Sequence, residues 1–562
     1  MKELIRRLRA HLRLTFDLAA ASLFINILGL TSSIYSIVVL RRYLAVGLDS
    51  TLVTLTVGAL LAVAFEFSLR HVRMALGREL SRQSDRELSE ATFTALAQSQ
   101  YAHMSRVGGE QFREAVRGLG TIQQAYSPFS VLTIFDAPFA LLYLLALFIV
   151  SPLLAAITGS VIFFSLGFGF FVQKRMQIPA QNLAKESTQQ GIHVSTLISA
   201  ADSVRIFNWL PLLRNKWIEQ QNLVENSRSS LQHYQNLAQQ MGISSAMLLS
   251  ILMMCLGARE VLAGHMTVAT LIGGNILAGR ALSCINRCSQ VLDQFARASQ
   301  QMKTLRTLAT LPLEKEQGTV LANVSGKFQI NDLGFLFQGA PLPLFESISL
   351  TLNPGQVLVV TGANGAGKTT LARLLVGLHE PQRGEVRLDD INMKQFNPVW
   401  LRKQMMYLPQ EVSFFDGSLR ENLTSLSPEV EEETIVKMIR KLQLGPLVEA
   451  SPDGLDMPLP GGGRHLSLGI RRRLALCRAL LGGGKLIILD EPTEGLDTAG
   501  CQAVSNILNE KMKENATIII MSNAPFILEA ADYVLDLNVK PVPSLKDMRM
   551  KEKPPVKALE ED

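Results

Sequence analysis

The first half of the chain alternates between long apolar runs and long polar segments. Six apolar runs, at about residues 16–40, 51–69, 128–150, 153–173, 241–263 and 266–284, approach the roughly 20 residues that a helix needs to cross a bilayer. We therefore predict an all-α region with six membrane-spanning helices, embedded in lipid and with both of its ends on the same side of the membrane.

Basic residues between the runs predict the orientation of these helices. Arginine is frequent between residues 70 and 117, and Lys174, Arg175, Lys185 and Arg205 mark the polar segment after the fourth run. Because Lys and Arg concentrate in cytoplasmic loops, we expect both segments and both termini in the cytoplasm. The segments favour helices that continue beyond the membrane, with turns near 101–109 and 202–211 that contact the C-terminal half.

Two acidic residues fall inside the predicted spans. Glu66 and Asp136 would be costly facing lipid, so we expect them to face the helix bundle or a wet cavity. Asp136 stands in the sequence FDAPF, where Pro138 leaves a backbone carbonyl without its helical partner. A structural hydrogen-bonding role is therefore favoured over direct contact with a transported substrate.

From about residue 318 the pattern changes to short β-rich runs, VLVVTG and KLIILDE, separated by helical stretches. This alternation predicts an α/β domain with a largely parallel sheet. We place the transmembrane domain at 1–315 and the α/β domain at 316–540. Residues 541–562 are rich in Pro, Lys and Glu, which predicts a disordered tail.

The strand VLVVT and the helix TLARLLVGL flank the sequence GANGAGKT, residues 362–369. Its spacing is that of a phosphate-binding P-loop, in which glycines let backbone N–H groups approach phosphates. Lys368 is expected to reach the β- and γ-phosphates of ATP, and the Thr369 hydroxyl is expected to bind Mg²⁺.

A second motif, LIILDEP, ends a buried strand with two carboxylates. Asp490 is placed to hold magnesium through water, and Glu491 is placed to orient or deprotonate the attacking water. An exposed acidic strand end would not explain why both follow four apolar residues in a chain that already has a P-loop.

Together with Gln410 in MYLPQ and the degenerate signature LSLGI, residues 466–470, these motifs make the whole chain resemble the ABC exporter family. The resemblance implies that Phe337 stacks on adenine, that Gln410 binds magnesium and that Asp497 belongs to a loop crossing a dimer interface. It also implies that the signature of one subunit closes over the ATP of the other. The nucleotide-binding candidates are Phe337, Gly362, Asn364, Gly365, Gly367, Lys368, Thr369, Thr370, Ser467, Gly469 and Asp497; the magnesium candidates are Thr369, Gln410 and Asp490; the catalytic candidates are Glu491, Asn523 and Gln410.

The chain departs from the family pattern at two places. LSGGQ has become LSLGI, so Leu468 adds bulk where backbone should approach phosphate, and Ile470 replaces a glutamine. Asn523 in MSNAPF aligns with the family's switch histidine and cannot become a cation. Since one well-placed catalytic group contributes roughly 10²- to 10³-fold, we expect slow ATP turnover.

Within the family, the stretches SPFSVLTIFDAPFALLYLLALF and TLIGGNILAGRALSCINR resemble type I secretion exporters of Gram-negative bacteria. That resemblance implies an inner-membrane location, a polypeptide cargo, a membrane-fusion protein and an outer-membrane channel as partners, and a second half-transporter, with a homodimer favoured. The net charge of +6 is modest and the basic residues adjoin the spans, which suits anionic lipid headgroups better than nucleic acid, and no nucleic-acid partner is expected. Two alternatives stay open, a regulatory half of a heterodimer that hydrolyses ATP poorly and a lipid or drug exporter.

Overall fold

The computed structural model describes residues 2–43, 49–107 and 109–549. The chain divides into two compact units. The first comprises the residues up to Leu311 except Ser99–Met104, and the second comprises Ser99–Met104 and the residues from Pro312 onward.

The regular structure among the described residues of the first unit is helical. Its helices are α1 (Lys2–Ala10), α2 (Leu12–Leu28), α3 (Thr31–Val38), α4 (Asp49–Ala97), α5 (Tyr101–Val107), α6 (Gly109–Ala125), α7 (Pro128–Asp136), α8 (Phe139–Val150), α9 (Pro152–Ser199), α10 (Ala201–Ile206), α11 (Leu210–Leu262) and α12 (Val268–Ala309). A short π-helical turn, Val39–Tyr43, extends α3. The first residues of α5, up to Met104, belong to the second unit.

Six helical stretches are long and apolar enough to cross a membrane, as the sequence predicts. They are Leu12–Tyr43, Asp49–Ala97, Pro128–Val150, Pro152–Ser199, Leu210–Leu262 and Val268–Ala309. Three of them exceed 45 residues, so they are more than twice the length that a bilayer requires. The long polar segments are therefore helical continuations of the spans, and the chain is an integral membrane protein.

The two acidic residues of the spans are engaged by basic partners. Asp136 accepts hydrogen bonds from Arg73 at 2.6 and 3.2 Å and from the Asn26 amide at 3.0 Å, between α7, α4 and α2. Arg73 is buried, and its guanidinium also donates to the Ser22 hydroxyl. Glu66 pairs with Arg70 one turn further along α4. Asp136 thus has the structural hydrogen-bonding role that its sequence position favours.

The second unit contains two sheets. Strands β1 (Phe328–Phe335), β2 (Phe345–Leu352), β4 (Arg383–Leu388) and β5 (Ile391–Asn392) form an antiparallel sheet in the order β2-β1-β4-β5. The larger sheet has the order β10-β9-β3-β8-β7-β6. Its members are β3 (Val357–Thr361), β6 (Met405–Leu408), β7 (Leu486–Asp490), β8 (Thr517–Met521), β9 (Tyr533–Asp536) and β10 (Ser544–Asp547), and all pairs except β9–β10 are parallel.

The central strands of the larger sheet are buried on both faces. In β3, Val357 and Val359 enter one apolar core, whereas Leu358 and Val360 enter another on the opposite face. This is why VLVVT and LIILD are nearly continuous apolar runs rather than alternating patterns. Helices cover the sheet: α13 (Lys368–Leu375), α14 (Pro398–Lys403), α15 (Leu419–Thr424), α16 (Glu432–Lys441), α17 (Gly445–Glu449), α18 (Leu468–Leu481), α19 (Thr498–Lys513) and α20 (Pro525–Glu529).

The C-terminal segment differs from the prediction. Residues from 541 were expected to be disordered, but β10 pairs with β9 through four residues, from Ser544 opposite Asp536 to Asp547 opposite Tyr533. The Arg549 guanidinium bonds to Asp547 and lies over the Tyr533 ring. The edge strand β9 offers backbone N–H and C=O groups as hydrogen-bond partners. A polar segment with few apolar side chains to bury can therefore be ordered by backbone pairing alone. The remainder of the predicted tail, residues 550–562, lies outside the described residues.

Candidate active site

Four parallel strands end at one edge of the larger sheet, and each delivers a candidate residue there. β3 leads into the P-loop, β6 is followed by Gln410, β7 ends at Asp490, and β8 is followed by Asn523. Ligands of open α/β sheets bind at the carboxyl ends of the strands. The topology therefore brings together residues separated by up to 161 positions.

Two glycines of the P-loop have backbone conformations that other residues rarely adopt. Gly365 has φ +85° and Gly367, the residue before α13, has φ +110°. A Cβ on Gly367 would lie 2.8 Å from the Leu344 side chain. The loop can therefore turn into the N-terminus of α13 only with glycine at these positions, and that helix end offers unpaired N–H groups to an anion.

Lys368 is the first residue of α13, and its side chain is buried. The ammonium donates to the Gly362 carbonyl at 2.7 Å and lies 3.1 Å from a Glu491 carboxylate oxygen. The lysine is thus folded back over the P-loop and connects it to the end of β7.

Asp490 fits the requirements of a divalent-cation site. It is fully buried, and neither carboxylate oxygen has a hydrogen-bond partner among the described residues. The nearby Thr369 hydroxyl donates to Gln410 at 2.9 Å rather than completing a bond to this carboxylate. Burial raises the pKa of Asp490, Thr369 lowers it to a smaller degree, and the neighbouring Glu491 raises it further. Oxygen atoms of Thr369, Gln410 and Asp490 are the hard ligands that Mg²⁺ prefers.

Glu491 follows β7 in a left-handed conformation, with φ +50°. Its N–H donates to the Met521 carbonyl at 2.9 Å, and its own carbonyl accepts from the guanidinium of Arg472. A non-glycine residue with this φ stores strain that the surroundings must hold, and such residues concentrate at functional sites.

Arg472 is a residue whose role the sequence did not reveal. It is buried in α18 and contacts the Glu491 carbonyl, the Gln410 carbonyl at 3.4 Å and the Glu494 carboxylate at 2.5 Å. One side chain therefore joins the signature helix to both loops that carry catalytic candidates. The available signal was the run of three arginines, Arg471–Arg473, in the first turns of α18.

Asn523 lies beside the P-loop. Its side-chain nitrogen donates to the Gly362 carbonyl at 2.9 Å, and its side-chain oxygen accepts from the Gly362 N–H at 3.0 Å. Both ends of the amide are therefore used to hold the first residue of the loop.

These elements enclose an open cleft of about 240 Å³. Nine of the candidates line it: Phe337, Asn364, Gly365, Gly367, Lys368, Thr369, Thr370, Gln410 and Glu491. Phe337 is half exposed and packs edge-on against Phe335, with ring centroids 5.0 Å apart. A flat aromatic face beside a phosphate loop is suited to a nucleotide base.

Ser467, Gly469 and Asp497 do not line the cleft of their own chain. Ser467 is exposed and caps α18 by accepting from the Ile470 N–H at 3.3 Å, and Asp497 caps α19 by accepting from the Gly500 N–H at 2.8 Å. A Cβ on Gly469 would lie 3.0 Å from the Gly495 carbonyl, so the signature packs directly on the loop that contains Asp497.

Two more residues that the sequence did not single out support the P-loop from the end of β9. Asn538 accepts from the Ala363 N–H at 2.9 Å, and the Lys540 ammonium donates to the carbonyls of Ala366 and Leu344. Burial lowers the pKa of Lys540. Their signal was positional, because a loop after a parallel strand neighbouring β3 must reach the same sheet edge.

Comparison with known proteins agrees with this geometry. Residues 345–494 match the family model of the ABC transporter domain. The type I secretion system ATP-binding protein PrsD of Rhizobium meliloti (strain 1021) is 26% identical over 531 residues, covering 92% of this chain and 88% of that protein. The toxin RTX-I translocation ATP-binding protein of Actinobacillus pleuropneumoniae is 23% identical, covering 92% and 73%.

The alpha-hemolysin translocation ATP-binding protein HlyB of Escherichia coli O157:H7 is 24% identical, covering 93% of this chain and 74% of that protein. Among solved structures, a bacterial Atm1-family ABC exporter with ATP bound superposes with a TM-score of 0.82 at 18% identity, covering 97% of this chain and 96% of that one. The similarity to the Atm1-family structure is a similarity of fold.

Proposed function

Because this chain carries an ATP-binding ABC transporter domain on an ABC exporter fold, and its homologues are type I secretion ATP-binding proteins, we propose that it is one half of an exporter that moves polypeptides across the bacterial inner membrane. ATP hydrolysis is coupled to transport in such proteins. The observation that carries the proposal is the convergence of Lys368, Thr369 and Glu491 at one cleft, with Asp490 buried at the adjoining end of β7, in a chain with six spans.

Binding of ATP uses groups that the fold holds in place. The phosphates lie against the N–H groups of the P-loop and the N-terminus of α13, while Phe337 provides a surface for adenine. Lys368 must turn from the Glu491 carboxylate towards the phosphates, since the ammonium now lies 3.1 Å from that carboxylate. Nucleotide binding and release of the Glu491 side chain are therefore linked.

Hydrolysis requires a general base and groups that stabilise the negative charge developing on the phosphate oxygens. Thr369, Gln410 and Asp490 would hold Mg²⁺, which neutralises charge that develops on the phosphate oxygens. Glu491, freed from Lys368, accepts a proton from the attacking water or orients it. Arg472 holds the Glu491 backbone, so the carboxylate is presented from a fixed position.

A second copy of the chain would complete the site. Ser467, Leu468 and Asp497 are exposed, and none lines the cleft of its own subunit. In the ABC exporter family, which this chain resembles, the corresponding surface of one subunit covers the nucleotide bound to the other subunit. A separate exposed apolar group lies at the turn between α10 and α11, formed by Ile206, Phe207 and Leu210, which are 77%, 66% and 61% exposed. An apolar group of this kind favours burial against another subunit, so a homodimer is the proposed assembly.

The cargo and outer partners follow from the relatives. Their names describe type I secretion and toxin translocation. We extend this to a polypeptide cargo, a membrane-fusion protein, an outer-membrane channel and a cytoplasmic location of the ATP-binding domain and both termini.

The experiment that tests the motor is Mg²⁺-dependent ATP hydrolysis by the chain purified alone in lipid nanodiscs, compared with Glu491→Gln. Activity in the native protein and its loss in the variant support a homodimeric motor. Absence of hydrolysis in both, despite ATP binding, contradicts it. Export is tested by deleting the gene and profiling secreted proteins under inducing conditions, where an unchanged profile contradicts polypeptide secretion.

A second candidate function is an ATP-binding regulatory half of a heterodimer. It is favoured by Leu468, whose side chain is 44% exposed at the start of α18, where a smaller residue would let a partner's nucleotide approach. Recovery of a stable assembly only with a different ABC chain supports this alternative, and a stable active homodimer contradicts it.

A further inference from the structure

Two arginines in the apolar half of α12 contrast with the paired arginines of α4. Arg73 pairs with Asp136, and Arg70 pairs with Glu66. Arg280 and Arg287, both on α12, bond only to neutral groups among the described side chains. Unpaired charges inside membrane spans are rare and mark functional positions that face a bundle interior or a water-filled cavity.

Arg280 lies within the sixth apolar run, residues 266–284. It follows the start of α12 at Val268 by twelve residues, or about 18 Å of helix, within a hydrocarbon layer of about 30 Å. Its guanidinium donates to the Ser32 hydroxyl at 3.0 Å and bonds to the Tyr143 hydroxyl. Both are neutral acceptors, so they orient the guanidinium without compensating its charge.

Gly29 provides the space for this arrangement. A Cβ at that position would lie 2.8 Å from an Arg280 guanidinium nitrogen and 2.7 Å from the Tyr143 hydroxyl oxygen. Helix α2 ends at Leu28, and the missing side chain at Gly29 leaves room for the guanidinium between three helices. The arginine is therefore held in place, unlike a flexible side chain that reaches to the membrane surface.

The nearby carboxylates already have other arginine partners, Glu66 with Arg70 and Asp136 with Arg73. The Tyr143 hydroxyl donates to Asn26, at 3.1 Å to its backbone oxygen and 3.2 Å to its side-chain oxygen, and Asn26 in turn donates to Asp136. Asp136 is bonded twice by Arg73. The hydrogen-bonded chain from Arg280 to Arg73 therefore has an excess of one positive charge.

Arg287 extends the positive surface along the same helix. It follows Arg280 by seven residues, which is two turns, so the two side chains share a face about 10 Å apart along the axis. Arg287 is exposed, and its guanidinium bonds to the Ser283 hydroxyl at 2.8 and 3.2 Å. The open face of α12 thus presents two ordered guanidinium groups.

We propose that Arg280 and Arg287 form an anion site at the end of the sixth span that binds carboxylate side chains of the polypeptide being exported. A guanidinium held by hydroxyl groups keeps free donors that match a carboxylate in two-point geometry. Lipid phosphates lie at the membrane surface, whereas Arg280 lies four residues, or about 6 Å of helix, inside the end of the apolar run at residue 284, which favours a carboxylate on a passing chain. The inference rests on the proposed export function and names the chemistry of the cargo.

The test measures binding of a labelled 20-residue probe peptide of alternating Gly and Glu to the full chain in phosphatidylcholine nanodiscs. Fluorescence anisotropy with an uncharged dye gives Kd, and a Gly–Gln peptide of equal length is the reference. We expect the acidic peptide to bind about tenfold more tightly, the ratio that one charge-assisted contact provides. Arg280→Gln and Arg287→Gln should each remove most of this preference.

Arg228→Gln is the matched control, because it removes the same charge from an exposed position of α11. It should keep the preference, and equal loss in this variant would mean that net charge alone attracts the peptide. Arg280→Lys keeps the positive charge and Arg287→Gln changes an exposed residue, so both variants should fold even if Arg280→Gln does not. The thermal unfolding midpoint of each variant is recorded. Equal affinity for both peptides, or loss confined to a destabilised Arg280→Gln, overturns the proposal.

Two further results separate the alternatives. If phosphatidylglycerol abolishes peptide binding to the native chain but not to Arg280→Gln, a lipid phosphate occupies the site and the proposal falls. Basal ATP hydrolysis is measured on the same samples. Hydrolysis without any charge preference overturns this inference alone, whereas charge-dependent binding without hydrolysis contradicts the proposed motor and leaves the anion site standing.

Discussion

Asn523 and Gly362 form a two-point hydrogen-bonded pair, in which the side-chain amide of one residue both donates to and accepts from the backbone of the other, at 2.9 and 3.0 Å. The residue that aligns with the family's switch position thus has a second role, as a brace for the first residue of the P-loop. A histidine could not reproduce this pair, because a neutral imidazole has one donor and one acceptor on opposite sides of a rigid ring.

Removing the brace should weaken nucleotide binding. Asn523→Ala removes two hydrogen bonds, each worth about 1 kcal/mol, so we expect KM for ATP to rise about tenfold or more with a smaller change in kcat. Steady-state ATP hydrolysis in nanodiscs measures both. Asn506→Ala, on the exposed face of α19, is the control. A normal KM in Asn523→Ala would show that the pair does not position the loop.

The switch position itself is tested by Asn523→His. The sequence predicts slow turnover of the native chain, and restoring an imidazole should raise kcat although the brace is lost, because the imidazole can carry a positive charge at the transition state. Single-turnover hydrolysis separates this effect from weaker binding. A native rate typical of active exporters that does not change in Asn523→His would contradict the prediction.

Glu491→Gln should abolish hydrolysis and strengthen ATP binding. The ion pair between Lys368 and Glu491 competes with phosphate for the ammonium group. For a partly exposed pair worth at most about 1 kcal/mol, its removal should lower Kd by about two- to fivefold. Equilibrium binding of a fluorescent ATP analogue measures this. Glu494→Gln changes an exposed carboxylate paired with Arg472 and should not tighten binding; weaker binding in Glu491→Gln would argue against competition.

Arg472 should act through the loops that it holds. Arg472→Ala leaves the Glu491 backbone without its partner, and we expect kcat to fall about 10²-fold with little change in KM for ATP. Arg472→Lys should not restore the rate, because one ammonium cannot replace a guanidinium that contacts three groups. The neighbouring Arg473→Ala, whose only described contact is a long bond to Gln443, serves as the control. Full activity in Arg472→Lys would mean that charge alone is needed.

Asp490→Asn should stabilise the protein at neutral pH while removing Mg²⁺-dependent activity. Burial raises the pKa of Asp490, so the folded state binds its proton more tightly than the unfolded state does. Stability therefore falls as pH rises from the unfolded pKa, near 3.8, through the raised folded value, and the ionised form is unfavourable at pH 7. The unfolding midpoint of the variant, measured without Mg²⁺ or nucleotide, should exceed the native value at pH 7, and the difference should shrink near pH 4.

The Arg73–Asp136 pair should couple the stability effects of changes at its two positions. Because both groups are largely buried, Asp136→Asn leaves an uncompensated arginine and should destabilise by about 3–5 kcal/mol. The double variant Arg73→Met with Asp136→Leu should be milder, since it removes both charges. Thermal unfolding in detergent with a double-mutant cycle gives the coupling energy. Additive effects of the two single changes would contradict a direct interaction.

The sequence by itself determined the features that depend on local pattern. The length of the apolar runs specified six spans, because a helix can cross hydrocarbon only when about 20 successive residues are apolar. The P-loop and LIILDEP were recognisable because their spacing reflects one strand, one turn and one helix start. Lys368, Thr369 and Glu491 were identified in this way, whereas Phe337 and Gln410 were identified through the family resemblance, and the structure gathers all five at one cleft.

Only the tertiary structure decided which distant residues meet. Asn523 is separated from Gly362 by 161 positions, and Arg73 is separated from Asp136 by 63. No periodic pattern or motif spacing in the sequence predicts either contact. The polar segment after 540 gains β10 because an edge strand offers backbone partners, which composition cannot reveal. Local patterns follow from the repeat of a helix or strand, whereas contacts between elements follow from strand order and helix packing, which the whole chain determines together.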